Sequence, residues 1–181
     1  MNLPCGALAA LFAALCCGSQ AAAQVQPASD IAPNVVVISP RLVTSGQPPA
    51  PALAKLGSRG FGAVIYLAPP TVHDAVPDER RIVERQGLKF VNVPIDFNNP
   101  TEEDFEAFVS AMAALATQKV LVHCQVNLRA SAMVFLHRVI VGKESPESAY
   151  EAVTRIWSPD GAWKRFIVSM LRKHGIAFEP D

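Results

Sequence analysis

Lys119-Val120-Leu121-Val122-His123-Cys124-Gln125-Val126-Asn127-Leu128-Arg129-Ala130-Ser131 reads as three things in succession. KVLVHC is apolar without alternation, as in a parallel strand buried on both faces. A compact loop follows, and then a helical pattern from Arg129 to about Val141. A strand that delivers a cysteine to a helix N-terminus makes a place for an anion, because backbone N–H groups and the positive end of the helix dipole converge there. The same field favours a thiolate over a thiol at Cys124. Arg129 adds a planar fork of donors suited to two oxygens. Taken singly, a cysteine at a strand end is a small buried hydrophobe and an arginine at a helix start is a solvated charge. The conjunction, with His123 before and Ser131 after, points to chemistry.

Upstream, the chain opens on an apolar segment, Leu3 to Cys17, followed by Ala21-Ala22-Ala23 ahead of Gln24. That is the layout of a secretory signal peptide over residues 1–23, although its start has no Lys or Arg and only the amino terminus is positive. The run is short for a membrane span. A periplasmic or secreted protein is expected, without stable membrane insertion after cleavage; an uncleaved N-terminal anchor is the alternative. Cys5, Cys16 and Cys17 fall in the removable segment, so the mature chain keeps Cys124 alone. A single thiol in an oxidising compartment is buried or used. Charge is balanced, with 16 basic and 16 acidic residues, none of them in the first 23. This leaves no electrostatic footprint for nucleic acid or a membrane surface. A Pro/Ala/Ser linker spans 24–33, and 34–181 is long enough for one domain with a core.

Within that domain, strands and helices alternate. Val35–Ile38, Leu42–Thr44, Ala63–Leu67 and Phe90–Ile95 are strand candidates. Ala52–Arg59 reads as a helix ending at Gly60, and Asp78–Gln86 as a charged helix stopped by Gly87. Thr101 and Asp104 have capping spacing at the head of a long helix whose core stripe is Phe105, Phe108, Val109, Met112 and Leu115. Ser145-Pro146 opens another helix, and Gly161–His174 is the last. The pattern implies an α/β fold, a mostly parallel central sheet flanked by helices. Ser45-Gly46-Gln47-Pro48 reads as a Gly/Pro turn. His73, His137 and His174 are scattered without metal spacing, so no metal and no cofactor are assigned.

HCQVNLRAS resembles the signature loop of the cysteine-dependent phosphatases, the protein tyrosine and dual-specificity class. Those enzymes carry five residues between Cys and Arg, whereas this chain has four, Gln125 to Leu128. The shorter loop is similar to that of a bacterial branch, the phosphatase-like domain of beta-lactamase hydrolase-like proteins and of small exported phosphatase-family proteins. SGQP also occurs near the start of that branch. The loop length also matches many rhodanese-type sulfurtransferases, and a phosphate-binding module with weak chemistry is a third possibility.

The resemblance implies a three-layer sandwich and a phospho-cysteine reaction on a phosphorylated protein or a small phosphate ester. It makes Cys124 the nucleophile, Gln125, Val126, Asn127, Leu128 and Arg129 the phosphate-binding loop, and Asp96 the general acid, with Asp74 as the second candidate. His123 would hydrogen-bond the loop backbone. Ser131 would donate to the sulfur, or else satisfy backbone groups at the helix start. The family loop usually has glycines and this one has none; Asn127 is the residue best able to take a positive φ in their place.

Overall fold

The structure, a computed structural model, describes Met1 and residues 30–180. The apolar first segment with Cys5, Cys16 and Cys17 therefore lies outside the described residues, as do residues 24–29 of the linker. Five short strands make one sheet: Val36–Ser39 (β1), Leu42–Ser45 (β2), Ala63–Tyr66 (β3), Lys89–Asn92 (β4) and Val120–His123 (β5). Their order is β1-β2-β5-β3-β4, and only the β1–β2 pair is antiparallel. β3 and β5 are buried at all four positions, which is why AVIY and VLVH carry no polar alternation before their ends.

Successive strand residues face opposite layers. Ile65 and Val122 belong to a large core with Phe105, Phe108, Met133, Leu136, Ile167 and Leu171. These come from Glu102–Ala114 (α3), Leu128–Ile140 (α4) and Gly161–Lys173 (α6), and Pro146–Thr154 (α5) adds Ala149 and Val153. Val64 and Leu121 belong to a smaller core with Val43, Leu53, Leu56 and Val83, under Ala50–Leu53 (α1) and Glu79–Glu84 (α2). The result is the expected α/β sandwich. α4 lies in the middle of it, with ten of its thirteen residues buried.

Several boundaries differ from the sequence expectation. The helix expected over Ala52–Arg59 is the short α1 plus a 3-10 turn, Gly57–Arg59, closed by Gly60 at φ 78°. The strand expected to reach Ile95 stops at Asn92, because Pro94 cannot donate to a ladder. Its backbone still follows β3, with Val93 and Ile95 N–H donating to Tyr66 and Leu67 carbonyls (2.9 and 3.1 Å). Ile31 is buried in the smaller core, so the last linker residues belong to the fold. The Thr101–Asp104 capping box forms in both directions, and Ser145 Oγ accepts from Ser148 N–H. Among the described residues no helix is long and apolar enough to cross a membrane.

Candidate active site

Four neighbouring strands end at one level. Ser45 pairs with His123, His123 with Tyr66, and Tyr66 with Asn92. The segments after β2, β5, β3 and β4 therefore leave the sheet side by side, at the edge where parallel sheets bind ligands. Cys124 is the first residue past β5 and is 1% exposed. Its N–H donates to Ser45 O (3.3 Å). Four residues on, Leu128 opens α4, whose first-turn N–H groups have no intrahelical acceptors.

The loop manages without glycine in a specific way. Asn127, the N-cap of α4, takes φ 74°. Its Nδ2 donates to Asn34 O (2.7 Å) and Thr44 Oγ1 (3.0 Å), and Asn34 Nδ2 donates back to Val126 O (3.1 Å). A glycine would reach this φ with less strain but could make neither side-chain anchor. The glycine that is needed lies elsewhere. A Cβ on Gly46 would stand 2.8 Å from Gln125 O and 2.9 Å from Pro33 Cγ. Gly46 N–H donates to Pro33 O (2.8 Å) and Gln47 N–H to Gln125 O (2.9 Å). Ser45-Gly46-Gln47-Pro48 is thus a strap against the cysteine loop and more than the Gly/Pro turn its composition implies. Nothing in those four residues states what they will touch.

His123 is placed differently from expectation. Its ring is fully buried and stacks on Tyr66, with centroids 4.7 Å apart and planes at 18°. Nε2 lies 2.7 Å from Glu79 Oε1, a close polar contact out of hydrogen-bond alignment. Glu79 is itself buried and Oε2 accepts from Gln47 Nε2 (2.8 Å). His123 therefore reaches the loop through Glu79 and the strap rather than through the loop backbone. A carboxylate this buried needs such partners, and sequence reasoning saw Glu79 only as part of a charged helix. Burial, with smaller contributions from the Glu79, Asp74 and Cys124 charges and against Arg129, holds the Tyr66 phenol well above its ordinary range, so Tyr66 stays protonated.

Arg129 is buried at the first turn of α4. Nε donates to Ile95 O (3.0 Å), Nη1 to Gln125 Oε1 (3.3 Å), and the guanidinium lies over the Phe97 ring at 5.1 Å. Two of its five N–H donors hold it in place, and the others remain for an oxyanion. Asp96 follows Ile95 directly. It is exposed, and Oδ1 accepts from Asn98 N–H (2.9 Å), an Asx turn that shapes its loop. Asp74 is half-buried and its Oδ1 accepts from Gln125 Nε2 (2.8 Å). Ser131 is occupied at the helix start: Oγ donates to Leu128 O (3.0 Å) and accepts from Trp157 Nε1 (3.2 Å). With its one proton on a carbonyl, Ser131 satisfies the backbone at the helix start in this structure, the second of its two expected roles. A buried thiol, a pinned guanidinium and a helix N-terminus form one cradle that can hold a tetrahedral anion and attack its centre.

The chain is similar to several known proteins. The family described as DSP-PTPase phosphatase fused to NAD+ kinase matches residues 32–162. The beta-lactamase hydrolase-like protein of Xylella fastidiosa is 34% identical over 113 residues, 61% of this chain and 26% of that protein. The chain thus spans about a quarter of the length of the curated relatives it matches. A candidate phosphatase (DUF442) of Shewanella putrefaciens CN-32 superposes with a TM-score of 0.73 at 31% identity, covering 79% of this chain and 94% of that one. Tk-PTP in its active form superposes with a TM-score of 0.62 at 23% identity, covering 78% of this chain and 96% of that one; at that identity it speaks for the fold.

Proposed function

This chain belongs to the family of DSP-PTPase phosphatases described as fused to NAD+ kinase, and on that footing we propose that it hydrolyses phosphate monoesters through a phospho-cysteine intermediate on Cys124. The observation that carries this reading is the joint placement of Cys124 and Arg129. The sulfur is buried at the root of a helix N-terminus, and the guanidinium is fastened to Ile95 O and Gln125 Oε1 beside it. Arg129 and the α4 N–H groups receive the phosphoryl oxygens. The Cys124 thiolate attacks phosphorus, the P–S bond forms, and the P–O bond to the leaving group breaks.

Asp96 supplies the proton for the leaving oxygen. Support for that assignment is its exposed carboxylate one residue from Ile95, whose carbonyl grips Arg129. Water then attacks the phospho-cysteine, giving phosphate and regenerating the thiolate, with Asp96 taking the water's proton. The substrate is a phosphorylated protein or a small phosphate ester. We also propose export. The apolar Leu3–Cys17 segment followed by Ala21-Ala22-Ala23 supports it.

Hydrolysis of p-nitrophenyl phosphate under reducing conditions tests the reaction. Wild-type turnover, and its abolition in Cys124→Ser with oxyanion binding retained, is the expected result. An active Cys124→Ser protein would overturn the phospho-cysteine step. Export is checked separately by fractionation and by the N-terminus of the processed protein, expected at Gln24.

A further inference from the structure

The loop between β3 and α2 contributes one carboxylate to the site, and its contacts say what that carboxylate does. Asp74 Oδ1 accepts from Gln125 Nε2 at 2.8 Å, and Gln125 Oε1 accepts from Arg129 Nη1 at 3.3 Å. The three side chains form a directed chain, carboxylate to amide to guanidinium. Each bond settles the next. A carboxylate can only accept, so it fixes the amide with nitrogen towards Asp74 and oxygen towards Arg129, and a guanidinium can only donate. The main chain of Gln125 is held as well, since its carbonyl accepts from Gln47 N–H (2.9 Å). Arg129 is then gripped at Nε by Ile95 O (3.0 Å) and at Nη1 by Gln125, two anchors at different points of the group. A planar guanidinium held at two points presents its remaining N–H groups in one orientation.

We propose that Gln125 positions Arg129 and that Asp74 holds Gln125 in the orientation this requires, so that the 68–77 loop serves the reaction by aligning the clamp and not by giving a proton. The proposal rests on the reading of the Cys124–Arg129 loop as a phosphoryl cradle. It distinguishes two carboxylates that stand near one site. Each has one oxygen engaged, but Asp96 Oδ1 serves its own turn through Asn98 N–H, whereas Asp74 Oδ1 holds an amide of the cradle itself. Gln125 is also the first of the four residues that replace the longer loop of related enzymes, and its side chain here spans the distance from the loop's root to the arginine.

The experiment uses the full chain with aryl phosphates of graded leaving-group acidity, and tungstate binding by calorimetry beside it. Gln125→Ala and Asp74→Ala are expected to lose about tenfold in kcat/KM, the scale of one charge-assisted hydrogen bond. The loss should be the same for good and poor leaving groups. Tungstate affinity should fall in parallel. Asp74→Asn keeps an oxygen that can accept from Gln125 Nε2, so it should recover most of the Asp74→Ala loss. Loss of 10²-fold or more in Asp74→Asn that grows with poorer leaving groups would make Asp74 the acid and overturn the proposal. Unchanged tungstate affinity in Gln125→Ala would also overturn it. If wild-type protein bound tungstate but turned over no ester, the phosphatase reading would fall, while the calorimetric comparison would still decide the role of Gln125. If wild-type bound no tungstate, both would fall.

Discussion

The two loops that follow β3 and β4 leave the sheet from adjacent strands and reach the same arginine, yet they are fastened by different forces. Residues 68–77 pack Ala68 and Val72 on the large core and are tied to the site by polar contacts: Asn92 Nδ2 to Ala68 O (3.1 Å) at the root, and Asp74 to Gln125 (2.8 Å) near the tip. Residues 96–100 are held by aromatic packing. Phe97 lies under the Arg129 guanidinium and 6.2 and 6.0 Å from the Trp157 and Trp163 rings, and Trp163 Nε1 donates to Phe97 O (3.0 Å). Such part-buried hydrogen bonds contribute about 1 kcal/mol each, because water satisfies both partners once they separate. A half-buried aromatic ring packed on two others contributes about 1–3 kcal/mol. The second loop can therefore hold an exposed carboxylate at a fixed place, while the first adjusts a group that is already placed.

Arg129→Lys tests the point where the loops meet. A lysine is a point charge that cannot reach Ile95 O and Gln125 together and still clamp two oxygens, so kcat/KM should drop about 10²- to 10³-fold, the scale of a lost oxyanion donor. Steady-state kinetics on an aryl phosphate would register it; near-normal turnover would mean that neither loop acts through this residue. Asp96→Asn comes next, with a loss of about 10²-fold for unactivated esters and much less for activated ones. A uniform loss across leaving groups would remove the functional contrast between the loops. Phe97→Ala should cost about 1–3 kcal/mol in thermal or urea unfolding, since the ring is half-buried. It should also lower kcat/KM about tenfold by freeing both Asp96 and Arg129.

The smallest effect is expected at Tyr66, whose hydroxyl approaches Pro69 O at only 3.5 Å. Burial and the neighbouring carboxylates raise its phenol above the ordinary 10.0, so the phenol does not ionise below that pH. The pH–rate profile of Tyr66→Phe should thus overlay that of the wild type up to about pH 10, with activity changed less than about threefold. A basic limb that vanishes in the mutant would show that the root of the first loop titrates, and would break the comparison from its polar side.

Much of this arrangement is legible in the chain. The apolar runs of β3 and β5, the Thr101–Asp104 cap and the buried stripe of α4 are local patterns, and local backbone physics realises them. Cys124, Asn127 and Arg129 fall within six consecutive residues, so their proximity is a matter of loop geometry. The contacts of Gly46, Gln47 and Glu79 are not legible there, because their partners lie from about 13 to about 80 positions away in sequence. The end of β4 was placed three residues late because hydrophobicity continues through Ile95 while the ladder stops before Pro94.

By itself, then, the sequence determined a parallel α/β sheet, a cysteine delivered to a helix N-terminus, and an arginine poised beside it. These follow from periodicity, capping and spacing over a dozen residues. The tertiary structure alone decided which carboxylate faces which partner. It turned Asp74 to Gln125, left Asp96 exposed beside the carbonyl that holds Arg129, and set His123 on Glu79. The reason is that strand order, β2 beside β5 and β5 beside β3, brings together loops that are remote in the chain. A side chain's role in such a cluster is set by the neighbours it receives there.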